Sequence, residues 1–187
     1  MSARRSLANL RIADCTPLTK VFVQAFEKGM LARDLGVEFG RAVRDENGTL
    51  RIGSGPGEWL LLAPPGSAPE VVERVEAVRA EEPVSVVDVT HGRALVRISG
   101  AKTVDLLPKV CGIDMSDSIT PDGAAFRSSV AKVLTDVVRD DGEGTRSYLL
   151  HCERSFGQYL FDALLDAGEE FGIEIEGFAS NNSRSPE

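Results

Sequence analysis

The fold is decided by residues 85–112, SVVDVTHGRALVRISGAKTVDLLPKVCG. The β-branched valines of 86–89 predict one strand, a polar break follows at 90–92, and the alternation over 94–98 predicts a second strand. Apolar residues then recur at helical spacing over 104–110. The stretch therefore predicts strand, turn, strand and helix, with the two strands paired as a hairpin.

The segments on either side extend this order. An apolar strand is predicted at 59–63, an amphipathic helix at 71–79 and a further strand near 124–130. Together with the central stretch they predict a ferredoxin-like βαββαβ unit. A second group follows over 130–168, with two strands around a polar turn and a helix whose core-facing stripe includes Phe156 and Tyr159. The fold class expected is α+β, a ferredoxin-like unit followed by a second hairpin-helix group.

The domain boundaries follow from where this periodicity is lost. Residues 1–20 are expected to form an N-terminal arm, because Pro17 and scattered charges interrupt every pattern there. Residues 21–178 are expected to form a single α+β domain. Residues 179–187 are too polar to pack and are expected to be disordered.

Composition excludes several classes of function. The chain has 187 residues, is 42% hydrophobic and carries a net charge of −8, so a polyanion such as nucleic acid would be repelled. No apolar run approaches the ~20 residues that span a bilayer, and the N-terminus lacks the apolar core of a signal peptide. We therefore expect a cytoplasmic protein that binds neither nucleic acid nor membrane. Three widely spaced cysteines predict no disulfide framework and no metal knuckle.

Candidate catalytic residues are few. The chain has two histidines, His91 in a predicted turn and His151 in a predicted strand. His151, Cys152 and Glu153 are consecutive, and consecutive strand residues point to opposite faces, so they cannot jointly chelate one ion.

A triad assembled from Ser128 or Ser129 with His151 and Asp136 lacks a nucleophile-elbow sequence. The glycine-rich run GSGPGEW precedes a strand rather than a helix, which favours a turn over a phosphate site. We predict no catalytic, cofactor-binding or metal-binding residue in this chain.

Arginines at the ends of predicted elements are the candidate interface residues. Arginine is enriched in interfaces because its planar guanidinium offers several donors. Arg93, Arg127 and Arg154 each lie beside the end of a predicted strand or helix. We predict that these three contact a partner subunit.

Several stretches in combination carry a family resemblance. GEWLLLAP, DVTHGRALVRISG, KVCGIDM, PDGAAFRSS and YLLHCERSFGQYLFDALLDAG, spanning roughly 58–173, resemble the gamma subunits of heterotetrameric sarcosine oxidases. The central hairpin and helix also resemble the folate-binding domain of aminomethyltransferases. The resemblance implies an aminomethyltransferase-like fold. It also implies that the chain is a non-catalytic subunit of a flavoenzyme complex. That complex would demethylate sarcosine to glycine, with formation of hydrogen peroxide and 5,10-methylenetetrahydrofolate.

The same resemblance implies the partners and cofactors. The alpha, beta and delta subunits would be the partners, mainly alpha, and FAD, FMN, NAD and zinc would be carried by those other subunits. The alternative is a tetrahydrofolate-binding or one-carbon-transfer module. Against it, the relatives that use folate have a glycine-rich segment with an aspartate, and the nearest stretch here, 131–136, keeps Asp136 but lacks the glycines.

Overall fold

A computed structural model describes residues 9–79, 81–142 and 144–177. These residues form two β-sheets and four α-helices. The strands are β1 (Leu10–Asp14), β2 (Thr19–Gln24), β3 (Ala42–Arg44), β4 (Leu50–Gly55), β5 (Glu58–Ala63), β6 (Ser85–Asp88), β7 (Arg93–Ser99), β8 (Ala125–Val130), β9 (Val133–Arg139), β10 (Ser147–Glu153) and β11 (Ile173–Glu176). The helices are α1 (Met30–Leu35), α2 (Ala68–Val78), α3 (Thr103–Val110) and α4 (Gly157–Gly168).

The two sheets differ in size and in strand direction. The large sheet has the order β11-β1-β7-β10-β9-β8 and is antiparallel except for the parallel pair β1 and β11. The small sheet has the order β3-β4-β5-β2-β6 and is antiparallel throughout. A mixed α+β architecture is therefore confirmed.

Strand alternation sorts the side chains into three apolar layers. One face of the large sheet packs on α3 and α4, where Ile98, Leu150 and Leu160 are fully buried. One face of the small sheet packs on α1 and α2 through residues such as Val21 and Trp59. The remaining faces of the two sheets pack against each other. The result is a four-layer sandwich with helices outside and sheets inside.

The predicted central hairpin is wrong. Strand β6 pairs with β2 in the small sheet, whereas β7 pairs with β1 and β10 in the large sheet. The 3-10 turn Thr90–Gly92 carries the chain from one sheet to the other. It is tied to β2, because the backbone N–H of Lys20 donates to Thr90 Oγ1 at 2.9 Å. The strands assigned to one ferredoxin-like βαββαβ unit are thus divided between two sheets, while the second group of β9, β10 and α4 is confirmed.

The expected N-terminal arm is also corrected for the residues that can be described. Residues 10–14 form β1, which lies between β7 and β11, and Leu10 and Ile12 are fully buried. Burial alternates along β1, with Leu10 and Ile12 buried and Arg11 partly exposed, but five residues are too few to establish a strand period from the sequence. The first eight residues of the expected arm and the expected disordered tail at 179–187 lie outside the described residues.

The hairpin of β4 and β5 places a serine between the sheets. Gly53 lies so close to the backbone of the segment around Glu38 that a Cβ there would lie 2.1 Å from the carbonyl oxygen of Glu38. The register shifts between Gly53 and Gly55, which leaves Ser54 at a β-bulge, and Gly57 turns the chain with a φ of 70°. The glycines of this run therefore serve a turn and a close backbone approach.

The helices are short. Within the described ranges the longest has 12 residues, and none combines the length and apolar character needed to cross a bilayer.

Candidate functional site

A cavity of about 150 Å³ lies between the two sheets. The small sheet contributes Ile52, Ser54 and Leu60, and the large sheet contributes Leu95 and Leu149, among others. Most of the wall is aliphatic because these residues belong to the apolar layer between the sheets. The lining also includes polar and charged side chains, those of Ser54, Arg93, Arg127, Asp136 and His151, which makes this cavity the candidate site.

Three of these side chains are linked by hydrogen bonds, with Asp136 between Arg127 and His151. Asp136 on β9 and His151 on β10 face each other in register, and Oδ2 of Asp136 lies 3.3 Å from Nδ1 of His151. Arg127 on β8 donates from Nε to Oδ1 of the same carboxylate at 2.6 Å. Burial raises the pKa of Asp136, but the hydrogen bonds from His151 and Arg127 outweigh it and hold the pKa below its usual range. Asp136 is therefore an ionised, partly buried acceptor.

Two polar atoms at the cavity have no hydrogen-bond partner in the described part of the chain. Nε2 of His151 and Oγ of Ser54 are both buried and unpaired, and both residues line the cavity. His151 is only 6% exposed. Since nearly all buried polar groups in proteins are paired, two such atoms beside one cavity indicate a place built for a polar contact.

The geometry does not complete a catalytic triad. The structure brings Asp136 and His151 together, as the triad assembled on paper required. Ser128, however, has its hydroxyl 3.7 Å from Sγ of Cys111, which belongs to the layer between the large sheet and its helices. It therefore lies on the opposite face from His151. Ser129 is exposed and forms no hydrogen bond with His151 in the described residues.

The thiols and the remaining histidine offer no further centre. In the described residues no group of three or more His, Cys, Asp or Glu side chains could hold a metal ion. Burial raises the pKa of the Cys15 and Cys152 thiols, so both stay protonated at neutral pH. His91 is exposed in the turn between the sheets.

The three candidate interface arginines lie near one end of the two sheets. Arg93 and Arg127 both line the cavity. Arg93 forms an ion pair with Glu153, and Arg127 pairs with Asp136. Arg154 follows Glu153 directly and forms no ion pair among the described residues. Only Arg154 therefore keeps its charge unpaired for a partner.

Two aromatic side chains beside Arg154 depart from the expected core stripe of α4. Phe156 and Tyr159 are each 51% exposed, whereas Leu160 and Leu164 are fully buried. The buried residues of α4 are Leu160, Phe161, Leu164 and Gly168, so the core-facing stripe excludes Tyr159, and Phe156 lies in the 3-10 turn before the helix. An exposed Arg, Phe and Tyr are typical of interface centres. Sequence analysis missed this cluster because it assigned both aromatic rings to the core.

A buried lysine lies at the same end of the molecule. Lys20 is fully buried, and its Nζ donates to the carbonyl oxygens of Thr16, Leu18 and Thr90 at 2.7, 2.9 and 3.3 Å. Burial, aided by the charge of Arg154, lowers the pKa of Lys20 to about 8. The ammonium ties β2 to the turn between the sheets.

Comparison with known proteins gives a consistent family. The model of the sarcosine oxidase gamma subunit family matches residues 23–170. Sarcosine oxidase subunit gamma from Corynebacterium sp. (strain P-1) is 28% identical over 127 residues, which cover 68% of this chain and 60% of that protein. Human mitochondrial dimethylglycine dehydrogenase is 25% identical over 130 residues, 68% of this chain and 15% of that protein. The chain thus spans less than two thirds of the length of these curated relatives.

Solved structures show the same fold. A chain of the heterotetrameric sarcosine oxidase from Corynebacterium sp. U-96 superimposes with a TM-score of 0.76 at 24% identity, covering 91% of this chain and 88% of that one. Aminomethyltransferase T from Bartonella henselae superimposes with a TM-score of 0.68 at 14% identity, covering 91% of this chain and 48% of that one. The arrangement of two sheets and four helices is therefore similar to the aminomethyltransferase fold.

Proposed function

Because the chain belongs to the sarcosine oxidase gamma subunit family, we propose that it is a non-catalytic subunit of a heterotetrameric sarcosine oxidase. The observation that carries the proposal is the family match over residues 23–170. The complex would oxidatively demethylate sarcosine to glycine, yielding hydrogen peroxide and 5,10-methylenetetrahydrofolate. FAD, FMN, NAD and zinc would reside on the other subunits, and the complex would work in the cytoplasm.

The partner surface we propose is centred on Arg154, Phe156 and Tyr159. These residues combine an unpaired guanidinium with two half-exposed rings at the start of α4. Large aromatic and arginine side chains supply most of the binding free energy at interface centres. Arg93 and Arg127 would contribute at the margin, because their charges are already paired within the chain. The alpha subunit is the partner we expect on this surface, with beta and delta completing the complex.

Co-expression with the other three subunits of the host tests the subunit role. We expect the tagged chain to elute from size exclusion with the others and to carry the visible spectrum of bound flavin. A chain that elutes alone and colourless while the other three assemble normally would refute the proposal.

A pair of variants tests the surface. Tyr159→Ser should weaken co-elution, since loss of an interface hot spot of ~2 kcal/mol lowers affinity about thirtyfold. Phe39→Ser is the matched control, because Phe39 is 64% exposed and lies beside the small sheet, away from α4. If Phe39→Ser disrupts assembly and Tyr159→Ser does not, the surface is on the other side of the molecule.

The tetrahydrofolate-binding alternative has one observation in its favour, the ionised Asp136 in a cavity of an aminomethyltransferase-like fold. The small volume of the cavity argues against this alternative. Pockets that bury drug-sized ligands measure roughly 300 to 1,000 Å³, and this cavity measures about 150 Å³. Calorimetric titration of the chain with tetrahydrofolate separates the two functions, and binding heat at micromolar ligand would favour the alternative.

A further inference from the structure

The size of the cavity between the sheets sets the size of what it can hold. Its volume of about 150 Å³ equals that of an engineered apolar cavity that binds benzene, roughly 150 Å³. The aliphatic walls come from both sheets, with Ile52 and Leu60 on one side and Leu95 and Leu149 on the other. A single aromatic ring therefore fits this volume.

The polar side chains of the lining determine which hydrogen bonds an occupant can form. An ionised carboxylate only accepts, so the proton between Asp136 and His151 belongs to Nδ1 of His151. In the neutral imidazole the other nitrogen, Nε2, is then an acceptor, and it is buried with no partner among the described residues. Oγ of Ser54 is a second unpaired atom on the same lining. An occupant that donates a hydrogen bond to Nε2 of His151 would therefore satisfy this atom.

The charged side chains of the lining indicate that the occupant is uncharged. The charged side chains that line the cavity are Arg93, Arg127 and Asp136. Arg93 pairs with Glu153, and Arg127 pairs with Asp136, so each lining charge is already compensated. An additional ion would need an unpaired counter-charge that this lining lacks. The side chains of Arg93 and Arg127 are 33% and 55% exposed, which places the entrance beside them.

We propose that this cavity binds a small uncharged aromatic molecule of one ring, which donates one O–H or N–H hydrogen bond to Nε2 of His151. The hydroxyl of Ser54 would form a second hydrogen bond with the same polar group of the molecule. Such an occupant satisfies the two unpaired atoms without disturbing the Asp136 carboxylate. The inference does not depend on the proposed subunit role, because it uses only the interior of this chain.

Phenol and benzene are the probes, since they share the ring and differ in one donor. NMR titration of the full chain should show phenol binding at least about tenfold more tightly than benzene, as expected when a buried acceptor gains its partner. Phenol, and not benzene, should also move the ¹⁵N resonance of His151 Nε2.

Three variants complete the test. His151→Phe should reduce the preference for phenol over benzene about tenfold, while His91→Phe, the same change in the exposed histidine, should leave it unaltered. Ser54→Ala keeps His151 and serves if His151→Phe does not fold; the phenol preference should fall severalfold in it. Equal affinity for the two probes, absence of phenol binding, or an unchanged preference in both cavity variants would overturn the proposal.

Discussion

The two faces of the large sheet are built from the same strands and have opposite chemistry. Toward α3 and α4, β10 presents Tyr148, Leu150 and Cys152, all nearly inaccessible to solvent. Toward the small sheet it presents Leu149, which is equally buried, and His151, which has an unpaired nitrogen. A strand period of two allows this separation, because neighbouring residues never share a face. The helix-covered face stabilises the fold, and the inter-sheet face is free to carry charges and a cavity.

The largest expected effect is on the helix-covered face. Leu150→Ala should lower the free energy of unfolding by about 3 to 4 kcal/mol, because it opens a void in a closely packed layer. Leu149→Ala, one residue away on the other face, should cost only about 2 kcal/mol, since Leu149 already borders a cavity and makes fewer dispersion contacts. Urea unfolding of both variants measures the difference, and equal losses would mean that the faces are packed alike.

The buried lysine on the inter-sheet side gives a pH-dependent effect. The folded pKa of Lys20 is about 8 against an ordinary value of 10.5. Between these values the unfolded chain holds the proton and the folded chain does not, so stability rises with pH. The wild type should therefore gain up to about 3 kcal/mol relative to Lys20→Met between pH 8 and 10.5, and nothing below pH 8.

Comparing the wild type with Lys20→Met at each pH cancels the titration of thiols and tyrosines, which both proteins share. At neutral pH the variant should be less stable, because three carbonyl oxygens lose their donor. A stability difference that is flat from pH 7 to 11 would contradict the lowered pKa of Lys20.

The smallest effect concerns the unpaired hydroxyl. Ser54→Ala should raise the free energy of unfolding by about 1 kcal/mol, because it removes a buried polar atom that has no partner. Ser147→Ala is the matched control on the same inter-sheet side, since its hydroxyl accepts a 2.7 Å hydrogen bond from Arg97. That variant should lose about 1 kcal/mol instead. Thermal unfolding shows whether the two substitutions have opposite signs.

Sequence analysis predicted the positions of strands and helices better than it predicted which strands pair. The apolar faces of β5, α2 and β7 follow local periodicity, and each of these elements overlaps the predicted segment. Which strand pairs with which is set by tertiary packing. The strands β6 and β7 are separated by only four residues, which predicts a hairpin, yet they belong to two different sheets. The same limit hid β1, whose five residues are too few to show a period.

The candidate site shows the same limit at the level of single residues. Arg127 and Asp136 face each other because Ala131 and Lys132 make a two-residue turn between β8 and β9. Both turn residues have positive φ, 48° and 69°, a conformation that usually selects glycine or asparagine. Because alanine and lysine are unusual in such a turn, the sequence did not indicate this hairpin. It therefore did not indicate the strand register that brings Arg127, Asp136 and His151 together.

The parallel pairing of β1 with β11 has a consequence for the order of folding. Residues 10–13 lie beside 173–176, so the chain's first described strand depends on its last one for a neighbour. Contacts between such distant residues form slowly, because the intervening loop must close first. During synthesis β1 leaves the ribosome long before β11 exists, with one of its edges unpaired. The nascent chain therefore passes through a stage in which an apolar strand edge is open to other chains, and this edge is covered only after residues 173–176 have been made.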